Sequence, residues 1–204
     1  MTRYELATLS ITMGSAPKAA EAIAPFTAES GAGGKLLGCW FSDIGALNKV
    51  AVLRGFADDA ELMRERERTL RSSNPFGCSD FLTRLSVQSY APFPDLPPVE
   101  TGAFGPVYEI RSYVLKTGGL LPTFEGWGER LAKRTSFSKL LIAMYGLDGT
   151  PRITHIWPYK STDERAQVRA ETVRQGVWPP RSAPWLTPEM ESSIYLPTAI
   201  SPLK

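Results

Sequence analysis

The apolar positions of this chain change their period several times, and the order of those changes repeats. Strand-like runs cover Tyr4 to Thr12, Lys35 to Asp43 and Lys49 to Ala57, then Val107 to Lys116, Lys139 to Leu147 and Arg152 to Lys160. They are bounded by turn residues, and Leu147-Asp148-Gly149 carries the Asp-Gly signal of a tight hairpin. Helical spacing separates the strands. Leu120, Phe124, Trp127 and Leu131 fall on one face of a helix predicted from Leu120 to Arg134, and Pro17 to Ser30 takes the same place earlier in the chain. Arginine-bearing stretches at Asp58 to Arg71 and Thr162 to Arg174 predict two further helices. In the last of them Ala166, Ala170, Val173 and Val177 mark an apolar side, with Thr162 and Asp163 as candidate caps.

The chain is thus two copies of one unit. Tyr4-Glu5-Leu6 returns as Tyr108-Glu109-Ile110, Val50 to Phe56 matches Ile153 to Tyr159 in hydrophobic outline, and Arg66 aligns with Arg169. Each copy closes with a strand and a proline, Pro92 and Pro197. The proline-rich stretch Pro92 to Pro98 reads as a stiff linker, so the copies are set at residues 1–101 and 102–204. The fold class is α+β: tandem ferredoxin-like βαββαβ units, each with both helices on one face of an antiparallel sheet. The other face of each sheet needs cover. The second copy supplies it if the two sheets pack face to face around a central space.

Composition narrows the function. Of 204 residues, 23 are Lys or Arg and 21 are Asp or Glu, so the formal charge of +2 offers no field for gathering nucleic acid or an acidic membrane. The alternating signs of Arg64 to Arg68 read as a solvated helix face with Glu67 and Arg71 at i, i+4 spacing. No apolar run reaches 18 residues, and a strand pattern begins at Tyr4, which leaves no room for a leader peptide. Cys39 and Cys78 are isolated, so neither a disulfide framework nor a zinc site is expected and a reducing, cytoplasmic setting fits. Gly31-Ala32-Gly33-Gly34 precedes a strand, so it reads as a turn and not as a phosphate cradle. No cofactor or metal is indicated. His155 is the only histidine, which leaves haem iron as the one metal a single ligand could serve.

Tyr108-Glu109-Ile110-Arg111-Ser112-Tyr113, Gly45-Ala46-Leu47-Asn48, His155-Ile156-Trp157-Pro158-Tyr159 and Trp178-Pro179-Pro180 followed by Met190-Glu191-Ser192 together resemble the NIPSNAP pattern. The resemblance spans nearly the whole chain. It implies the dimeric α/β-barrel superfamily, which holds cofactor-independent oxygenases, haem-handling enzymes and isomerases, and a branch with no agreed reaction. The motif is divided between the copies. Glu-x-Arg-x-Tyr is complete as Glu109, Arg111 and Tyr113, whereas the first copy has Glu5, Ala7 and Leu9; Leu47-Asn48 survives only in the first copy, and His155 with Trp157 only in the second.

Alternation along a strand puts Glu109, Arg111 and Tyr113 on one face, His155, Trp157 and Tyr159 on another shared face, and Asn48 with Val52 and Arg54 on a third. A polar and aromatic set is hard to press against helices, so it is expected inside the barrel. There Glu109, Arg111 and His155 are the candidate catalytic residues. Tyr113, Asn48, Arg54, Trp157, Tyr159 and Glu5 are the candidate ligand contacts. The expectation is one lopsided small-molecule site between the copies, biased to the second. The alternatives are an oxygenase or isomerase with His155 or Glu109 as base and Arg111 stabilising an oxyanion, and an interaction module. In the plainer reading Glu109 pairs with Arg111 as architecture, His155 is a hydrogen-bonded interior residue and the tryptophans only pack. The partners expected are a small molecule and the other copy, with room for a homodimer, but neither nucleic acid nor membrane.

Overall fold

The computed structural model describes residues 1–204 as eight strands and four main helices. In the first repeat these are β1 (Arg3–Ile11), α1 (Ala16–Ala28), β2 (Lys35–Ile44), β3 (Lys49–Phe56), α2 (Asp59–Arg71) and β4 (Leu82–Pro92). The second repeat follows the same order with β5 (Val107–Leu115), α3 (Leu120–Thr135), β6 (Ile142–Gly146), β7 (Arg152–Tyr159), α4 (Thr162–Arg174) and β8 (Leu186–Pro197). Helix starts are fixed locally. Asp58 and Ser161 cap α2 and α4 by accepting the amides of Glu61 and Glu164. The cap of α4 is therefore Ser161, one residue before the candidates Thr162 and Asp163.

All eight strands close into one antiparallel barrel in the order β1-β3-β2-β8-β5-β7-β6-β4. Within each repeat the first strand lies between the third and the fourth: Glu5 faces Arg54 and Ser89, and Glu109 faces Trp157 and Ile194. Two seams join the repeats. Trp40 to Ile44 pairs with Ile194 to Pro197, and Tyr90 to Pro92 pairs with Met144 to Gly146. Closure leaves no edge strand for another chain to extend.

The pleat sends alternate residues to two environments. The barrel interior takes Tyr4 and Leu6 of β1, Tyr108 and Ile110 of β5, and Trp40, Tyr90, Met144 and Ile156 from other strands. Each outer face carries its own core beneath the helices. Ala7, Leu9, Val50 and Val52 lie under Ile23 and Phe26, and Ile153 and Trp157 lie under Trp127. The linker and tail lock across the repeats: Val99 N–H donates to Tyr4 Oη, and Cys39 N–H donates to Ser201 Oγ. No helix is long and apolar enough to cross a membrane.

The charged run Arg64 to Arg68 differs from its sequence reading as a solvated face. Glu67 and Arg71 do form an exposed pair at 2.9 Å, but Glu65 in the middle of the same run is buried and bonded to Arg54 and Arg68. The glycine turn has its amides occupied, because Gly33 and Gly34 donate to the carboxylates of Glu65 and Glu61.

Candidate functional site

The polar set does not face the barrel interior. Glu109, Arg111 and Tyr113 of β5 and His155, Trp157 and Tyr159 of β7 all point outward, beneath α3 and α4. The physical reason is charge. A buried carboxylate needs cations, the interior lined by Tyr108, Ile110 and Ile156 has none to offer there, and α4 does. Glu109 Oε1 accepts from Arg111 Nη1 at 2.5 Å, from Arg165 Nη2 at 2.6 Å and from Ser192 Oγ at 2.8 Å, and Arg169 Nη1 stands 4.0 Å from Oε2. Burial by itself would raise the Glu109 pKa, but Arg165 and Arg111 outweigh burial and bring it down to about 2.

That demand also turns α4. The apolar side expected from Ala166, Ala170 and Val173 faces solvent, and Arg165, Val168, Arg169 and Thr172 turn toward the sheet instead. Only Val177, beyond the helix, is buried as expected.

His155 lies directly opposite Arg111 in the β5–β7 register. Its ring meets Tyr113 at 5.2 Å and Trp127 at 5.0 Å, both edge-on. Trp157 Nε1, which can only donate, gives its hydrogen to His155 Nδ1 at 2.6 Å. Burial first, then the Arg111 charge, lower the imidazole pKa to about 3, so the ring is neutral and its proton sits on Nε2. The side chain is 3% exposed, and Nε2 has no partner in the protein.

His155, with this unpaired N–H, forms part of the wall of a cavity of about 270 Å³ lined by Arg111, Tyr113, Trp127, Arg169 and Trp178 among others. The volume lies near the lower end of the small-molecule range. One wall is the segment Trp178 to Leu186, and the exposed apolar side chains of Val173 and Met190 stand at the rim. Three of the nine residues singled out from sequence therefore line one cavity, and Glu109 holds it from behind.

The other five go elsewhere. Trp157 orients His155, and Tyr159 is buried with its hydroxyl on Arg134. Glu5 and Arg54 form a buried ion pair in the first repeat, where Arg54 also binds Glu65. Asn48 is an exposed residue of the β2–β3 turn at φ 54°. Positive φ suits Asn, which explains its presence there without a ligand. Sequence reasoning missed Arg165 and Arg169, and it took Trp127 and Trp178 only as packing. The available signal was an i, i+4 arginine pair on a helix predicted to lie over a strand bearing Glu109.

The space corresponding to the cavity is filled in the first repeat. Ala7, Leu9 and Val52 stand where Arg111, Tyr113 and His155 stand in the second, under Ile23, Phe26, Phe76 and Cys78. Cys39 and Cys78 are both buried and free, with burial raising their thiols to about 11 and about 12.

A separate cavity of about 290 Å³ does lie inside the barrel mouth, between Thr8, Ser10, Arg84, Ser86, Gln88 and Ser112. None of the sequence candidates lines it. Its Ser112 bonds Thr154, and Lys49, Arg84 and Glu191 also stand in its wall. No group of three His, Cys, Asp or Glu side chains comes together as a metal centre.

Two βαββαβ repeats sharing one closed barrel define the dimeric α/β-barrel class, here with both halves in one chain. A crystal structure of an anthrone oxidase-like protein superposes with a TM-score of 0.66 at 10% identity, covering 97% of this chain and 91% of that one, a likeness of fold alone. The NIPSNAP family model matches residues 4–86 and 108–202, so the chain belongs to the NIPSNAP family. It is 25% identical to the Protein NipSnap homolog of Dictyostelium discoideum over 178 residues, 86% of this chain and 77% of the relative. It is 28% identical to Protein NipSnap of Drosophila melanogaster over 145 residues, 69% of this chain and about half of the fly protein, 48%.

Proposed function

We propose that this NIPSNAP-family protein binds a small molecule in the helix-side cavity of its second repeat. The observation that carries the reading is a cavity of about 270 Å³ whose wall holds Arg111, Arg169 and His155, the last with a buried Nε2 that has no partner in the protein. Leaving a buried donor unmade costs roughly 1–3 kcal/mol, and a ligand acceptor would recover it. The fixed neighbours of the ring favour binding as well: Trp157 sets its tautomer, and Trp127 and Tyr113 set its plane.

The oxygenase or isomerase alternative keeps its oxyanion donor, Arg111, and loses its base, His155 or Glu109. Arg165 and Arg111 hold Glu109 as a carboxylate with a pKa of about 2, and a neutral His155 whose Nδ1 accepts from Trp157 carries its proton on Nε2 and has no free lone pair to act as a base. Binding is the reading that uses every group as it stands.

Because the chain has one histidine, its imidazole resonances need no assignment. Long-range proton–nitrogen spectra of the free protein should show the Nε2–H tautomer, and a fragment library screened against the same signal should yield compounds that shift it. Fragments that shift only residues of the barrel mouth, such as Ser86 and Gln88, would move the site and refute this reading.

A further inference from the structure

The helix-side core of the second repeat carries more positive charge than its carboxylate can balance. Arg111, Arg165 and Arg169 all converge on Glu109. Arg134, buried beneath α3, adds a fourth guanidinium whose polar contacts are the hydroxyls of Ser138 and Tyr159. None of the three acidic side chains of α4 answers this charge: Asp163 is exposed to solvent, Glu164 accepts from the amide of Lys160 and Glu171 pairs with Arg174. In the first repeat the corresponding charges cancel, with Glu5 and Glu65 against Arg54 and Arg68.

The excess points into the cavity. Arg111 spends Nε on Tyr113 and Nη1 on Glu109 and Ser192, and neither hydrogen of Nη2 has a partner. Arg169 makes no hydrogen bond with its guanidinium, only the 4.0 Å approach to Glu109. His155 adds its unpaired Nε2–H. No Asp or Glu lines the cavity, so the donors of two guanidiniums and an imidazole converge without a carboxylate to receive them. Apart from Thr172 and Ser182, the rest of the wall is apolar or aromatic, with Trp127, Trp178, Leu186 and Met190.

We infer that the ligand is a small organic carboxylate, its two oxygens taken by Arg111, Arg169 and His155 and its apolar body packed among Trp127, Trp178 and Leu186. This rests on the binding reading above and narrows it. A carboxylate suits planar donors such as guanidinium and needs few of them, and the apolar wall excludes a bare inorganic anion as the preferred occupant. Desolvation makes the discrimination steep, because a neutral amide would set its own N–H groups against those same donors.

The test uses matched acid–amide pairs on the full chain: benzoate and benzamide, 2-naphthoate and 2-naphthamide, octanoate and octanamide, each followed through the His155 imidazole signal and by calorimetry. At least one acid should bind about tenfold or more tighter than its amide, with the preference shrinking as salt is raised. Arg169→Gln should weaken the acid severalfold and narrow the acid–amide ratio. Circular dichroism and urea unfolding of the variant check that it is folded, and because Arg169 is 40% exposed the fold should survive. Amides that shift His155 as strongly as their acids would overturn the carboxylate inference and leave the binding site standing. Silence of the imidazole toward every compound at millimolar concentration would overturn both. Inorganic phosphate competing as well as benzoate would show a general anion site and overturn the organic ligand.

Discussion

The outer faces of β1 and β5 begin from the same residues and end in opposite states. Both carry a buried glutamate at the same position, Glu5 and Glu109. In the first repeat Arg54 answers it from the neighbouring strand, directly across the ladder, and Ala7, Leu9 and Val52 let the helices settle onto a dry core. In the second repeat Trp157 occupies the place of Arg54, so the cations must come from Arg111 and from α4, and those longer side chains hold the helix layer open around His155. One repeat is packed solid and the other keeps a cavity. The difference comes from where the counter-charge of one carboxylate is anchored.

The sharpest way to break this comparison is to remove the central arginine from each side. Arg54→Met strands Glu5 and Glu65 without their shared partner, and the loss should be about 3–5 kcal/mol in urea unfolding, the cost of an uncompensated buried charge. Arg111→Met leaves Glu109 with Arg165 and should cost only about 1–2 kcal/mol. Equal losses would mean that the two repeats are built alike.

Acid should separate the repeats next. The folded pKa of His155 is about 3 against an unfolded value near 6.5, so the unfolded chain binds the extra proton between those limits. Stability is therefore complete above about pH 6.5 and is lost as pH falls toward 3, by about 2–3 kcal/mol on reaching pH 4.5. Glu109 adds the same sign lower down: its contribution is present above about pH 4.5 and disappears as pH falls through about 2. His155→Gln, which keeps an acceptor for Trp157 and a donor for the cavity, should flatten the upper part of the curve measured by thermal unfolding at stepped pH. A wild-type profile already flat from pH 6.5 to 4.5 would show that the imidazole is not buried neutral.

The hairpin turns give a smaller contrast. Asn48 at φ 54° in the β2–β3 turn and Gly149 at φ 64° in the β6–β7 turn both adopt left-handed backbone. Asn48→Ala should cost about 1 kcal/mol and Asn48→Gly close to nothing, and neither should change the His155 response to any carboxylate. A loss of binding in either variant would bring the first repeat back into the site. Smallest of all, Glu67→Gln breaks an exposed helix pair and should stay within about 0.5 kcal/mol, whereas Glu65→Gln, two residues earlier, touches the buried network and should cost more than that.

Much of this was legible beforehand. Alternation grouped Glu109 with Arg111 and Tyr113, and His155 with Trp157, and those groups hold. Alternation has a period of two and no sign: it says which residues travel together, and what covers each face decides which way they point. The sign came from Arg165 and Arg169, more than fifty positions along the chain from Glu109. For the same reason the hydrophobic side of α4 could not be read from its own spacing, because a cluster of alanines gains less by burial than a buried carboxylate gains from guanidinium.

The sequence by itself determined the duplication, the order of strands and helices, and the inequality of the two halves, because local periodicity and repeated residues are properties of the chain. Tertiary structure alone decided that Glu109, Arg111, Tyr113 and His155 lie under the helices of the second repeat and not inside the barrel. That choice turns on the desolvation of one carboxylate and the reach of arginines from a distant helix, and such a balance exists only once the helix has docked.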